Sequence, residues 1–212
     1  MARLSNGRGG RAPPCRGQNG GALAASSRRE AWEACHATRA HISLNRKICA
    51  AGQSGQQGTV LQLVSACGEE MSLVNASTAW HCIARIELED CPRTDRDPRI
   101  ALLQLHTRML LERCFQSDEE VGAQPRCIST ITWALAKLKL TDEVILANLA
   151  DLGLQRLESF KPFELANTVW GLAKLQAERK HFIQAAHDYI LQAPENFSAR
   201  SLSMIAWAFA TM

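Results

Sequence analysis

The stretch FELANTVWGLAKL, Phe163–Leu175, decides how this chain is read, because it occurs three times. Upstream, Cys127–Leu138 is CISTITWALAKL, and downstream Arg200–Met212 is RSLSMIAWAFATM. Trp133, Trp170 and Trp207 stand at equal intervals of 37 residues. The same interval relates Pro125 to Pro162, Phe160 to Phe197, Leu135 to Leu172 and Phe209, and Ala136 to Ala173 and Ala210. Several residue types recurring in phase at a period of about 20–50 residues are the mark of a repeat array, in which each unit buries its apolar face against its neighbours.

Within each copy the apolar residues follow the helical period of 3.6. Ile128, Ile131, Leu135 and Leu138 share one face, matched by Leu165, Thr168, Leu172 and Leu175 and by Leu202, Ile205, Phe209 and Met212. This stripe is expected to pack on the first helix of its own unit. The tryptophans point nearly the other way, beside Ala136, Ala173 and Ala210, and are therefore expected at contacts between repeats, where losing one would cost about 3–5 kcal/mol; the alternative is that they stack on bases. A third, narrower stripe holds Thr130, Ala134 and Lys137, then Asn167, Gly171 and Lys174, then Met204, Ala208 and Thr211. A polar residue, a small one and a cation at i, i+4 and i+7 would suit a groove meeting an extended polymer, with the small residue letting a ligand approach the backbone. The plainer reading of this stripe is a solvated helix face.

Outward from the repeats, the expected fold class is all-α, an αα-hairpin repeat solenoid with a period of 37 residues behind a disordered N-terminal leader. The expected helix pairs are 99–115 with 125–138, 141–160 with 162–175, and 179–192 with 198–212. Thr141 is expected to cap the helix over 141–160, Pro125 and Pro162 to open helices at their first position, and Ser198 to cap the last helix. Residues 98–212 form the solenoid. Residues 28–97 form a degenerate N-terminal helical region, with helices over 28–51, 59–66 and 72–86, a loop over 52–58 and a charged insertion over 87–98. Matching Trp80 to Trp133 gives 53 residues, whereas matching Ala84 to Ala136 gives 52.

Residues 1–27 are rich in Gly, Ala, Ser, Arg and Pro and hold little to bury. An acid-poor, Arg- and Ser-containing N-terminus predicts either an organelle transit peptide or an unstructured leader. Six arginines and no acid lie in residues 1–29, so removing their charge from the net +3 leaves −3 for the other 183 residues. That balance argues against a broad electrostatic grip on nucleic acid but leaves room for a basic stripe on one face.

The sequence carries no nucleotide-binding loop, no HExxH and no GxSxG. The eight cysteines, from Cys15 to Cys127, include no CxxC pair, so no metal site and no disulfide framework is expected. No segment is apolar and long enough to span a membrane. These absences predict a non-enzymatic protein with no cofactor, no metal, no membrane partner and no small-molecule substrate.

The motifs LANTVWGLAKL (Leu165–Leu175) and ITWALAKLKL (Ile131–Leu140) resemble the helical repeats of octotricopeptide repeat proteins, which are similar to the repeat regions of RAP-domain and FAST-kinase-like organellar proteins. The resemblance covers residues 99–212 and extends more loosely to 41–86. It implies RNA binding in chloroplasts or mitochondria, serving transcript processing, stability or translation; outside an organelle, the expected compartment is the cytoplasm. Single-stranded RNA is then the expected partner, possible organellar proteins aside, with Thr130, Lys137, Asn167, Gly171 and Lys174 as the candidate contacts and Trp133, Trp170 and Trp207 as structural repeat positions. The alternative is a protein–protein scaffold of the same fold, favoured by the slightly acidic balance. No RAP domain follows the repeats, and the last repeat helix runs to Met212, which predicts a fragment, a truncated product or a subunit completed by a partner.

Overall fold

The computed structural model describes residues 38–86, 97–116 and 124–212. The expected leader, the start of the helix expected over 28–51, the core of the expected insertion and residues 117–123 lie outside the described residues. The chain divides into two compact units, Met1–Arg39 and Ala40–Met212. Of the first, only residues 38 and 39 are described, both helical. The second takes in both the region expected to be degenerate and the clearest repeats.

The described part of the second unit is all-helical, with no strand. Its helices are α1 (residues 40–53), α2 (Gln57–Cys67), α3 (Leu73–Ile86), α4 (Pro98–Gln116), α5 (Pro125–Leu138), α6 (Glu143–Gln155), α7 (Pro162–Lys174), α8 (Lys180–Gln192) and α9 (Ala199–Thr211). The odd-numbered helices α3, α5, α7 and α9 pack each on the next, and so do the even-numbered α2, α4, α6 and α8. Two rows result. A core of Ile100, Leu103, Ile128, Ile131, Leu135, Ile145, Leu165 and Leu172, all essentially inaccessible to solvent, fills the interior. Burying each such side chain contributes roughly 1.5–3 kcal/mol relative to leaving it exposed.

Helix ends follow local chemistry. Pro125 and Pro162 occupy first-turn positions, where a missing N–H costs nothing. Ser198 caps α9, its Oγ accepting from the Ser201 N–H at 3.2 Å. Lys139 ends α5 with a left-handed φ of 55°. The N-cap of α6 is Asp142 rather than Thr141: its carboxylate accepts from the Ile145 N–H at 3.1 Å, while Thr141 stands exposed outside the helix. The reason is reach and charge, since the same buried carboxylate also binds Arg108 and Gln104 of α4. Helix α6 is shorter than expected and stops at Gln155, with a 3-10 turn at Leu157–Ser159. The loop expected at 52–58 shrinks to residues 54–56, because α1 runs through Gly52 and α2 starts at Gln57. Gly52 in a helix is explained by its neighbour: a Cβ there would stand 2.8 Å from the Cβ of Cys82 on α3.

The two competing registers between the first copy and the second resolve at 52 residues. Helices α3 and α5 begin at Leu73 and Pro125, so His81 occupies the place of Trp133, and the two rings lie 5.6 Å apart. Trp80 is one residue off that position and points inward. It is fully buried and donates from Nε1 to the Thr107 Oγ1 at 3.0 Å.

Candidate functional site

Four residues of each odd helix, spaced i, i+4, i+7 and i+11, fall on one face by helical geometry. On α5 these are Arg126, Thr130, Trp133 and Lys137; on α7 they are Phe163, Asn167, Trp170 and Lys174. On α9 the set is Arg200, Met204, Trp207 and Thr211, and on α3 it is Val74, Thr78, His81 and Arg85. None of the sixteen is buried, so together they form the outer surface of the odd row.

The packing of one helix beside the next turns these stripes into lanes that cross the row. One lane is ring-bearing: His81, Trp133, Trp170, Trp207. A second is cationic over three helices: Arg85, Lys137, Lys174. A third holds Thr78, Thr130, Asn167 and Met204. Contact between neighbouring helices is direct, as in the His81–Trp133 ring pair and in the ammonium of Lys174, which lies 5.6 Å from the Trp207 ring centroid.

The charge of this surface is one-sided. Arg85, Arg126, Lys137, Lys174 and Arg200 are all exposed, and α3, α5, α7 and α9 together contain a single acid, Glu164, which is only 4% exposed. The other described acids lie off this row, on the even helices and connections, among them Glu112, Glu143, Asp151, Glu178 and Asp188.

Between the N-terminal halves of α5 and α7, with α3 alongside, lies a cleft of about 240 Å³. Its aromatic lining is Trp133, Phe163 and His81, and its polar lining is Ser129, Thr130 and Asn167. Arg126 and Glu164 supply one charge of each sign. The His81 imidazole is held below its ordinary pKa, first by burial and then by the cations Arg85 and Arg126, so it is neutral near pH 7 and offers an uncharged ring. Glu164 Oε2 accepts from the Lys161 N–H at 3.0 Å, holding the first turn of α7.

Of the residues singled out from sequence, Thr130 and Asn167 meet in this cleft, half-buried, and Lys137 and Lys174 stand exposed in the cationic lane. Gly171 is placed differently from the expectation of an open backbone. It is buried, and a Cβ there would lie 2.8 Å from the Thr132 Cγ2 and 3.0 Å from the Thr132 carbonyl oxygen. The small residue serves the crossing of α5 and α7, and its equivalents Ala134 and Ala208 are likewise fully buried. The tryptophans do touch between helices, but at the outer surface: Trp133 and Trp170 are half-buried and Trp207 is 43% exposed. They therefore share the outer face with Thr130 and Lys137, because the fully buried positions at 134, 171 and 208 take the closest helix contact.

His81, Arg126 and Phe163 were not among the sequence-derived candidates. The signal for Arg126 and Phe163 was available in the spacing, since Arg126, Phe163 and Arg200 each precede a tryptophan by seven residues. Among the described residues no group of three or more His, Cys, Asp or Glu could hold a metal ion, and no helix is long and apolar enough to cross a membrane. Comparison with known proteins gives no identification: no family model, no curated protein and no solved structure matches this chain.

Proposed function

We propose that residues 98–212 are an αα-repeat solenoid of 37-residue period, and that the outer face of α3, α5, α7 and α9 binds single-stranded RNA. The observation that carries this reading is the one-sided charge of that face, five exposed cations with no exposed carboxylate, interleaved with a lane of aromatic rings. Cations track a phosphate backbone, while aromatic faces take unstacked bases, which is how proteins hold single strands. The −3 summed over residues 30–212 weighs less against the reading, because the described residues hold more Lys and Arg than Asp and Glu and only one acid lies on the odd helices. It weighs correspondingly less for a protein scaffold.

The resemblance to octotricopeptide repeat proteins supplies the setting, which is organellar transcripts in chloroplast or mitochondrion and their processing, stability or translation. No chemistry is assigned to the face, which holds rings and cations rather than a nucleophile paired with a base. The chain acts by occupancy, protecting or presenting an RNA segment.

The test is binding of single-stranded RNA by the full chain at two salt concentrations, with Lys137→Ala/Lys174→Ala compared with the unaltered protein. Each cation contacting a single-strand phosphate contributes about 0.7 to the slope of log K against log salt, so the double variant should lose about 1.4. Absence of binding at low salt, or a slope unchanged in the variant, would sink the reading.

A further inference from the structure

The cleft among α3, α5 and α7 is distinguished by the one acid on an otherwise basic face. A carboxylate there opposes phosphate binding, and a helix cap does not need it. The equivalent cap position on α3 is filled by the neutral Asn75, whose Oδ1 accepts from the Ser72 N–H at 3.1 Å. The Glu164 carboxylate spends one acceptor site on the Lys161 N–H, the one hydrogen bond it makes to a described residue. A carboxylate has about four such sites, which leaves capacity on the side of the cleft it lines.

We propose that this cleft is a nucleobase subsite that selects guanine, with Glu164 as the specificity-determining residue; the proposal rests on the RNA-binding reading above. The argument is one of donor pattern. On its Watson–Crick edge guanine presents two adjacent donors, the ring N1–H and the exocyclic N2–H, which match the two oxygens of a carboxylate. Adenine and cytosine each place a ring-nitrogen acceptor beside their amino group, which would face the second oxygen and repel it. Uracil has a single N–H flanked by two carbonyls. Phe163, 53% exposed and one residue before Glu164, supplies a ring face for stacking. Arg126 and Asn167 supply donors for the O6 acceptor.

The experiment uses the full chain and fluorescently labelled ten-nucleotide oligouridines carrying one central guanine, inosine, adenine or cytosine, read by anisotropy. The guanine oligomer should bind roughly 5- to 150-fold more tightly than the adenine and cytosine ones, as a bidentate base contact does. Inosine, which keeps N1–H and lacks the amino group, should fall between. Glu164→Gln should abolish the preference while leaving oligouridine affinity unchanged or improved, since a negative charge has been removed. Equal affinity for guanine, adenine and cytosine in the unaltered protein overturns the subsite and leaves RNA binding standing. So does a guanine preference that persists in a folded Glu164→Gln. Failure of every oligomer to bind overturns both readings together. The base panel on the unaltered protein is decisive by itself should the variant fail to fold.

Discussion

Gly171 of α7 crosses Thr132 of α5 so closely that a Cβ at 171 would stand 2.8 Å from the Thr132 methyl carbon and 3.0 Å from its carbonyl oxygen. The backbone oxygen cannot turn away as a side chain can, so a larger residue must push the helices apart. Gly171→Val should therefore destabilise the protein by about 1–3 kcal/mol or more through overpacking. A Gly→Ala change would combine this strain with a helix-propensity gain of about 1 kcal/mol, so valine gives the cleaner result. Thr132→Ser removes the nearer of the two clashing atoms. In a double-mutant cycle measured by urea unfolding, it should recover part of the loss. Additive effects would show that the crossing is looser than the geometry implies.

The carboxylate of Asp142 ties the even row together. It is nearly inaccessible and accepts from Arg108 Nη2 at 2.8 Å, from Gln104 Nε2 at 3.2 Å and from the Ile145 N–H at 3.1 Å. Asp142→Ala removes a helix cap, worth about 0.5–2 kcal/mol. It also removes charge-assisted bonds from α4, worth about 1.5–3 kcal/mol at full burial. The Arg108 side chain is 42% exposed and can return to water, so the second contribution is discounted. The expected loss is about 2–3 kcal/mol, seen as a fall in the urea midpoint. Thr141→Ala should leave stability nearly unchanged, which separates the two candidate caps.

The tryptophans divide by position. Trp80 is fully buried and bonded to Thr107, so Trp80→Ala should cost about 3–5 kcal/mol and threaten folding. Trp207 lies at the surface under Lys174, where a cation–π contact is worth about 0.5–1 kcal/mol. Trp207→Ala should thus cost far less than a core deletion. Its larger effect should be on RNA binding, at about 1–3 kcal/mol for a stacking residue. Thermal unfolding and anisotropy on both variants check this, and equal destabilisation of the two would contradict the assignment.

Helicity and the positions of α5, α7 and α9 were legible because proline, serine and the 3.6 period mark them locally. The buried stripe Ile128, Ile131 and Leu135 was legible for the same reason. What sequence reading misassigned depends on rotation about a helix axis. Residues 133 and 134 are neighbours in sequence, and only packing decides which of them meets the next helix. The expectation of contacts between repeats for the tryptophans leaves their depth open: close helix approach selected Ala134 and Gly171 for the crossing, and Trp133 meets the neighbouring helix at the outer surface. The cap on α6 was missed for a related reason, since Thr141 and Asp142 are equally suited to local capping. The choice was made by Arg108 and Gln104, which lie more than thirty residues away. The cleft was missed because its parts come from three helices, and net charge concealed that the acids avoid this row.

His81 provides a reporter of the outer face. Burial lowers its pKa most, with Arg85 and Arg126 contributing after that. A histidine whose folded value lies below 6.5 binds its proton less readily in the folded than in the unfolded chain. Its contribution to stability is therefore intact above the unfolded value and declines as pH falls from about 6.5 toward the folded value. In an NMR titration, the His81 ring signal should show a midpoint below 6.5. Arg85→Ala should move that midpoint upward only in part, because burial is the larger cause. Bound single-stranded RNA brings phosphates near Arg85 and Arg126 and should raise the midpoint, favouring the imidazolium. Binding should then tighten as pH falls through this range, and His81→Phe should remove that component while retaining a ring beside Trp133. A midpoint unmoved by saturating RNA would place the strand away from this part of the lane.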